Sequence, residues 1–335
     1  MATRARPVIL ALETSCDDTC AAVVDPAGNI RSNVISSQGV HDRYGGVVPE
    51  IASRHHTELV NAVIDDALRR AQATVDDVTL VAVTQGPGLV GALLVGLVTA
   101  KALAAARRLP LAPVDHLDGH VAANLLEPDP FAPPFLCLLA SGGHTLLARV
   151  EEPGRWELLG QTLDDAAGEA IDKGARLLGL GFPGGPVLER LAAEGDADAF
   201  AFPTAAGVAG LNFSFAGLKT ALLYRVRDLG EARAQRCRAD LAASYQRAVV
   251  EALAVRVERA MDATGLSRVA LGGGVAANGA LRRRVGRVAG ELKELPRELC
   301  TDNAAMIAGA ARHAAVLPYP EYLRLDVYAS GERRL

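Results

Sequence analysis

The sequence predicts an α/β protein built as a duplicated pair of similar lobes, and three observations carry that expectation. Half of the 335 residues are hydrophobic while only 4% are aromatic, and 33 glycines accompany plentiful alanine, a composition suited to many tight strand-to-helix turns. The length suffices for two domains with a sizeable buried core. One construction also occurs twice, so that the pattern beginning near residue 8 returns near residue 135.

In the first copy, residues 8–12 read as an apolar strand, 13–19 as a polar loop, 20–24 as a second strand, and Asp25-Pro-Ala-Gly-Asn as a turn into a third. In the second copy, strand 135–139, loop Ser141-Gly-Gly-His, strand 146–150 and turn Glu152-Pro-Gly-Arg repeat the plan. Downstream, Leu80-Val-Ala-Val-Thr-Gln-Gly-Pro-Gly-Leu opens a small-residue helix and Arg268-Val-Ala-Leu-Gly-Gly-Gly-Val-Ala-Ala-Asn opens another. Each is followed by a short strand and a further helix, over 111–124 and 292–311. This predicts lobes at 1–130 and 131–318 facing each other across a cleft, with 319–335 returning to pack on the first. Residues 161–246 or so break the repeat. Helical patterns at 164–178, 187–194 and 239–263 and the loop Leu180-Gly-Phe-Pro-Gly-Gly-Pro make them a helical insertion in the second lobe, where substrate specificity is commonly built.

Composition narrows the classes. Lys plus Arg number 35 and Asp plus Glu 39, a net charge of −4, so any RNA contact must use a local basic patch or a partner. The five cysteines are scattered, form no Cys-x-x-Cys pair, and suit buried thiols in a reducing cytosol. The apolar run behind Met-Ala-Thr-Arg-Ala-Arg-Pro is too short for a signal-peptide core. The apolar stretch 89–106 is broken by Gly91, Gly96, Thr99 and Lys101, which predicts a buried helix and no membrane span.

His116 and His120 stand four apart in a run that can enter a helix, so both imidazoles would share one face and could clamp a divalent ion. The glutamate of the metalloprotease helix is missing, and an ordinary helix surface remains an alternative. In the duplicated plan, Asp302 falls at the position corresponding to this helix and could face the histidines across the cleft; Thr301 or Asp302 could equally be a helix N-cap. Two His and one carboxylate with open positions suit iron(II) or zinc.

The loop Ser141-Gly-Gly offers backbone N–H groups to an anion, and Gly272-Gly-Gly lets a flat ring or ribose lie against the chain. No Walker motif occurs. Asp172 is either a ribose acceptor or a helix residue paired with Lys173 or Arg176, and Asn278 is either a base or ribose contact or a helix cap. Arg282, Arg283, Arg284 and Arg287 form the densest basic cluster, a solvated helix face or a phosphate-backbone contact.

Taken together, Glu13-Thr-Ser-Cys-Asp-Asp, Tyr44-Gly-Gly-Val-Val-Pro-Glu-Ile-Ala-Ser-Arg, Gln85-Gly-Pro-Gly-Leu, His116-Leu-Asp-Gly-His, Ser141-Gly-Gly-His-Thr, Asp172-Lys, Phe182-Pro-Gly-Gly-Pro, Asn212-Phe-Ser-Phe, Gly272-Gly-Gly-Val-Ala-Ala-Asn and Cys300-Thr-Asp-Asn-Ala-Ala-Met-Ile resemble bacterial TsaD (also called Gcp or YgjD), the tRNA N6-adenosine threonylcarbamoyltransferase family, over nearly the whole chain. The resemblance implies the ASKHA fold of actin, Hsp70 and sugar kinases. It implies a cytoplasmic acyltransferase that moves threonylcarbamoyl from threonylcarbamoyl-AMP to N6 of the adenosine 3′ of the anticodon, in tRNAs reading codons that begin with A, with release of AMP.

By the family's pattern, His116, His120 and Asp302 hold one iron(II) per subunit, or zinc, and Leu139, Ala140, Ser141, Gly142, Gly143, Asp172, Gly185 and Asn278 contact the adenylate. TsaB-like and TsaE-like proteins are the implied partners. No general base is assigned; His144 is a candidate by position or a satisfied loop histidine. Ala140 and Ala216 depart from the family's usual residues without removing a ligand, Glu189 stands where an aspartate has been assigned to substrate, and His55 and His56 are not counted as metal ligands. Competing readings are a sugar kinase or ATPase of the same fold and a non-catalytic nucleotide-binding scaffold. Glu13 stands without an Asp-x-Gly signature, which counts against a kinase, and the metal triad counts against a scaffold.

Overall fold

A computed structural model describes residues 7–204 and 207–330 of the chain; the expectations for residues 1–6 and 331–335 lie outside them. The described residues fall into two compact units, one from 7–132 with 302–330 and one from 133–301. Where the sequence ended the second lobe at 318, the contacts of 302–318 lie with the first unit.

In chain order the strands are β1 (Val8–Glu13), β2 (Asp18–Val24), β3 (Ile30–Ser37), β4 (Val78–Gly86), β5 (Leu111–Asp115), β6 (Phe135–Ala140), β7 (Thr145–Glu152), β8 (Arg155–Gln161), β9 (Arg268–Gly272) and β10 (Glu291–Glu294). The α-helices are α1 (Pro49–Arg70), α2 (Val90–Arg107), α3 (His116–Ala122), α4 (Ala167–Leu177), α5 (Gly185–Ala192), α6 (Ala216–Leu229), α7 (Glu231–Arg236), α8 (Arg238–Thr264), α9 (Gly279–Gly286), α10 (Arg297–Cys300) and α11 (Ala304–Ala311).

The expected duplication is present in the sheets. The first has order β3-β2-β1-β4-β5 and the second β10-β9-β6-β7-β8, so β6 to β10 repeat the roles of β1 to β5. In each unit the first three strands pair antiparallel and the rest add in parallel. Every residue of β1 and of β6 is buried, as expected of central strands covered on both faces. Leu10, Leu12, Val81, Val83 and Leu97 anchor the first core. Each of the three leucines would cost about 2–5 kcal/mol if cut to alanine. Between β3 and β4 there is one long helix, α1, whereas the corresponding stretch between β8 and β9 holds α4 to α8, the expected helical insertion.

The apolar helix α2 differs from expectation. It is the one helix among the described residues long and apolar enough to cross a membrane by length and composition. One face, Ala92, Leu93, Gly96, Leu97, Ala100 and Ala104, is buried in the first unit, but Val90, Leu94 and Val98 on the other are exposed. Its apolar residues are too evenly distributed around the axis for all of them to face one sheet.

The C-terminal helix α11 is the second difference. Its sequence, Ala-Ala-Met-Ile-Ala-Gly-Ala-Ala, is buried throughout and packs against α3, β1 and β2. Small side chains allow that close approach, and the approach brings the residues just before α11 beside the histidine helix of the same unit.

Candidate functional site

The first unit assembles three groups that could hold a metal ion. Asp115 ends β5 and caps α3, its carboxylate accepting from Leu117 N at 2.7 Å, so the helix begins at His116. Four residues along, His120 lies on the same face, and the two rings meet edge to face with centroids 4.7 Å apart. Asn303, not Thr301 or Asp302, is the N-cap of α11, accepting from Met306 N at 3.0 Å. That leaves the Asp302 carboxylate free to turn to the histidines: its Oδ1 lies 3.5 Å from His116 Nε2 and 3.3 Å from His120 Nε2. One ligand atom from each of the three falls within 4.8 Å of the other two. The expectation that Asp302 reaches the histidines from the other lobe is corrected, since all three belong to one unit.

The sequence missed the residue that orients this set. Glu13 is fully buried at the end of β1, and its Oε2 accepts from Thr84 Oγ1 at 2.6 Å and from His116 Nδ1 at 2.9 Å, while Oε1 accepts from Ser15 N. Burial alone would raise the Glu13 pKa, but His116 outweighs it and the carboxyl is held below its ordinary value. Burial would likewise depress His116, but the Asp302 and Glu13 carboxylates hold it well above the usual imidazole range. With Nδ1–H fixed on Glu13, Nε2 is the atom presented to Asp302 and His120, the carboxylate–histidine–metal arrangement of many metal sites. The loop behind Glu13 is pinned in turn: Thr14 donates to Ala92 O at 2.9 Å and Leu89 N to Ser15 O at 2.8 Å. A side chain at Gly88 would lie 2.6 Å from Ser15 O, which explains the glycine of the Gln85-Gly-Pro-Gly-Leu motif.

Two properties of this structure fit a divalent ion. His120 is buried, its Nε2 faces the Asp302 carboxylate at 3.3 Å, and burial holds its pKa below the ordinary value, which favours the neutral imidazole that can offer a lone pair. Two carboxylates face a single protonated imidazole, an excess of one negative charge in a largely buried cluster. A divalent ion replacing the His116 proton would balance both carboxylates. The Asp302 side chain is 25% exposed against 6% and 1% for the histidines, so positions not taken by protein open on its side. His56 is no ligand: it bonds Thr19 Oγ1 at 2.8 Å and Cys16 O at 3.0 Å.

The second unit gathers the glycine loops. Leu139 and Ala140 are fully buried in β6 and present no side chain to a ligand. Ser141 is engaged within its own turn, its N donating to His144 O at 2.8 Å and its Oγ accepting from His144 N at 3.1 Å. Gly142 and Gly143 are exposed, with open space where a side chain would stand, so the anion donors left in this turn are their two amides. At Gly273 the backbone has φ +83°, and a Cβ would lie 2.4 Å from Ala140 O, so the glycine loop after β9 lies directly on the end of β6.

Asp172 does not pair with Lys173, which binds Asp165 and Glu169; its Oδ1 accepts from Gly184 N at 2.8 Å at the start of α5, next to Gly185. Burial raises its pKa, against the pull of the Gly184 and Gly185 amides. Asn278 caps α9 by accepting from Leu281 N at 3.0 Å and donates Nδ2 to Gln246 at 3.0 Å, which is the cap alternative. Glu189 accepts from Gly279 N at 2.7 Å. Ser141, Glu189 and Asn278 therefore hold backbone turns of one unit, Asp172 holds one through a single carboxylate oxygen, and the sequence could not show that these polar atoms are engaged.

Comparison with known proteins gives this geometry its context. The family model described as TsaD, tRNA N6-adenosine threonylcarbamoyltransferase, matches residues 29–309. The chain belongs to the tRNA N6-adenosine threonylcarbamoyltransferase family. Among its curated relatives, the protein of that name from Geobacter sulfurreducens is 54% identical over 90% of this chain and 90% of its own. The one from Clostridium perfringens strain SM101 is 48% identical over 91% of this chain and 92% of its own. Of solved structures, the Acidaminococcus fermentans (R)-2-hydroxyglutaryl-CoA dehydratase component A superposes with a TM-score of 0.56 at 15% identity, covering 95% of this chain and 100% of that one. That likeness shows the fold alone, the ASKHA fold. Like its TsaD relatives, the chain is a transferase.

Proposed function

We propose that the protein transfers threonylcarbamoyl from threonylcarbamoyl-AMP to N6 of the adenosine 3′ of the anticodon, in tRNAs reading codons that begin with A. In this reaction the adenosine amine attacks the carbamoyl carbon, the bond from that carbon to the phosphate oxygen breaks, AMP leaves, and the N6 proton passes to solvent. Membership of the family carries the reading, and the clustering of His116, His120 and Asp302 in one unit supports it.

His116, His120 and Asp302 would hold one divalent ion, iron(II) or zinc, a set of two imidazoles and one carboxylate being typical of both. When bound, the ion supplies Lewis acidity toward a carbamoyl or phosphate oxygen. Glu13 keeps the His116 proton on Nδ1 and its Nε2 lone pair toward the ion's position. Gly142 and Gly143 donate their amides to the phosphate of the adenylate and to the departing AMP. The Asp172 carboxylate, one oxygen of which holds Gly184, offers the other to a ribose hydroxyl. Gly185 and Asn278 shape the adenylate site through the helix starts they form, and Leu139 and Ala140 through the strand end beneath the turn. TsaB-like and TsaE-like proteins are the proposed partners and the cytosol the proposed setting, on the strength of the family resemblance.

The test is transfer of labelled threonylcarbamoyl from threonylcarbamoyl-AMP to an unmodified tRNA, with partners present, comparing the wild type with His116→Ala. Transfer by the wild type and its loss in a folded variant support the reading. Sugar-dependent ATP turnover without any transfer would replace it with a kinase.

A further inference from the structure

We propose that the outer face of α9 binds an RNA phosphate backbone through Arg283 and Arg287, an inference that rests on the tRNA substrate proposed above. The helix reads Gly-Ala-Leu-Arg-Arg-Arg-Val-Gly, with Arg287 directly after it. Leu281 and Val285, one turn apart, are buried and fix the inner face. The four arginines of this stretch then divide into two kinds.

Arg282 and Arg284 are structural. Arg282 donates Nε to Ala276 O at 2.7 Å and Nη2 to Leu295 O at 2.9 Å, and pairs with Glu294 at 3.3 Å. Arg284 pairs with Glu251 and Glu258, each at 2.8 Å. Arg283 and Arg287 are exposed, and among the described residues neither forms an ion pair. Both line an open cavity of about 600 Å³ whose walls also include Gly279 and Gly286. Gly279 has no side chain and the Arg283 guanidinium lies over it, Nη1 3.1 Å from where a Cβ would stand; the acidic residue lining the cavity, Glu294, is paired with Arg282, and Glu189, which also reaches Gly279, holds the Gly279 amide.

The shape and charge favour a polyanionic strand. Residues i and i+4 of a helix stand about 5–6 Å apart on one side, close to one phosphate-to-phosphate step. The cavity is wide, open and without an aromatic or large aliphatic lining residue, which argues against a peptide anchor. A chain of net charge −4 cannot attract RNA as a whole, so two unneutralised guanidinium groups on one face are the local attraction such a protein needs. The helix that carries them starts at Asn278, one of the residues assigned above to the adenylate side, which puts a backbone contact beside the donor site within the same unit.

The test is equilibrium binding of an unmodified tRNA transcript to the full chain, alone and with its partner proteins, over a series of salt concentrations. The plot of log affinity against log salt should flatten by about 1.4 in R283A/R287A, since each phosphate contact on single-stranded nucleic acid contributes about 0.7. R283K/R287K should keep the wild-type slope, and R284A should keep it too, because that charge is neutralised by Glu251 and Glu258. Melting curves verify that each variant folds. An unchanged slope in R283A/R287A overturns the proposal while leaving threonylcarbamoyl transfer, measured separately, untouched. Loss of partner capture with an unchanged RNA slope would assign the face to a protein and overturn it as well.

Discussion

Replacing Glu13 with glutamine should cost the protein its metal before it costs the fold. In the native arrangement Glu13 Oε1 accepts from Ser15 N, while Oε2 accepts from Thr84 at 2.6 Å and from His116 Nδ1 at 2.9 Å. Glutamine has one acceptor oxygen and one NH2. The buried Ser15 N–H has no alternative geometry as a backbone donor, so the oxygen must stay there and the NH2 must take the place of Oε2. Thr84 tolerates this because a hydroxyl can accept, but an NH2 pointing at His116 Nδ1 favours that nitrogen as the acceptor over a donor to Ser15 Oγ at 3.3 Å. The ring proton then moves to Nε2, the atom aimed at Asp302 and His120. Loss of a hydrogen-bond partner behind a metal-bound histidine typically costs 10–100-fold in affinity, about 1.4–2.8 kcal/mol. Competition against a chromophoric chelator, with zinc or anaerobic iron(II), measures it, and a melting curve verifies folding. Wild-type metal affinity in a folded E13Q protein would refute the argument that Glu13 fixes the His116 tautomer.

Three further outcomes are expected. Gly273→Ala places a Cβ 2.4 Å from Ala140 O at φ +83°, so it should destabilise the second unit by about 1–3 kcal/mol; an unshifted denaturant midpoint would count against that close approach. Asp172→Asn keeps an acceptor for Gly184 but removes the charge, so AMP affinity should fall about tenfold with little change in melting, whereas unchanged AMP binding would reduce Asp172 to a helix cap. His56 is buried with its pKa below the ordinary 6.5, so the unfolded chain binds the proton first and this group's contribution is complete above about pH 6.5 and declines as pH falls below it. His56→Gln should therefore lessen the drop in melting temperature between pH 7 and 5, and a parallel pair of curves would show that His56 is not the group responsible.

What the sequence could show and what it could not divide along physical lines. Strand-loop-strand periodicity and glycine turns are local, so the duplicated strand plan was legible from residues 8–24 and 135–150, while the order of strands in each sheet was not. The His-x-x-x-His spacing brought two imidazoles to one face, because helix geometry alone places them together. The position of Asp302 depended on tertiary packing: nothing local says that Asn303 takes the cap or that an alanine-rich α11 lies against α3. Glu13 carried no signal beyond its place in a family motif, since a hydrogen bond to a residue 103 positions away leaves no pattern in the chain. The glycine loops were legible as loops, but hydrogen bonds decide which of their groups remain available. Ser141 N turns inward to His144 O, and Asn278 closes on Leu281 and Gln246, so residue type at those positions overstated their freedom.

In the function proposed here, one divalent ion held by His116, His120 and Asp302 is required for threonylcarbamoyl transfer. Titrating metal-free protein with iron(II) under argon, in the presence of partners, threonylcarbamoyl-AMP and unmodified tRNA, tests it directly. Transfer should rise linearly and level off at one equivalent per chain, while folded Asp302→Ala stays flat across the same range. Full transfer by the metal-free wild type, or an Asp302→Ala curve that superposes on the wild type, would contradict it.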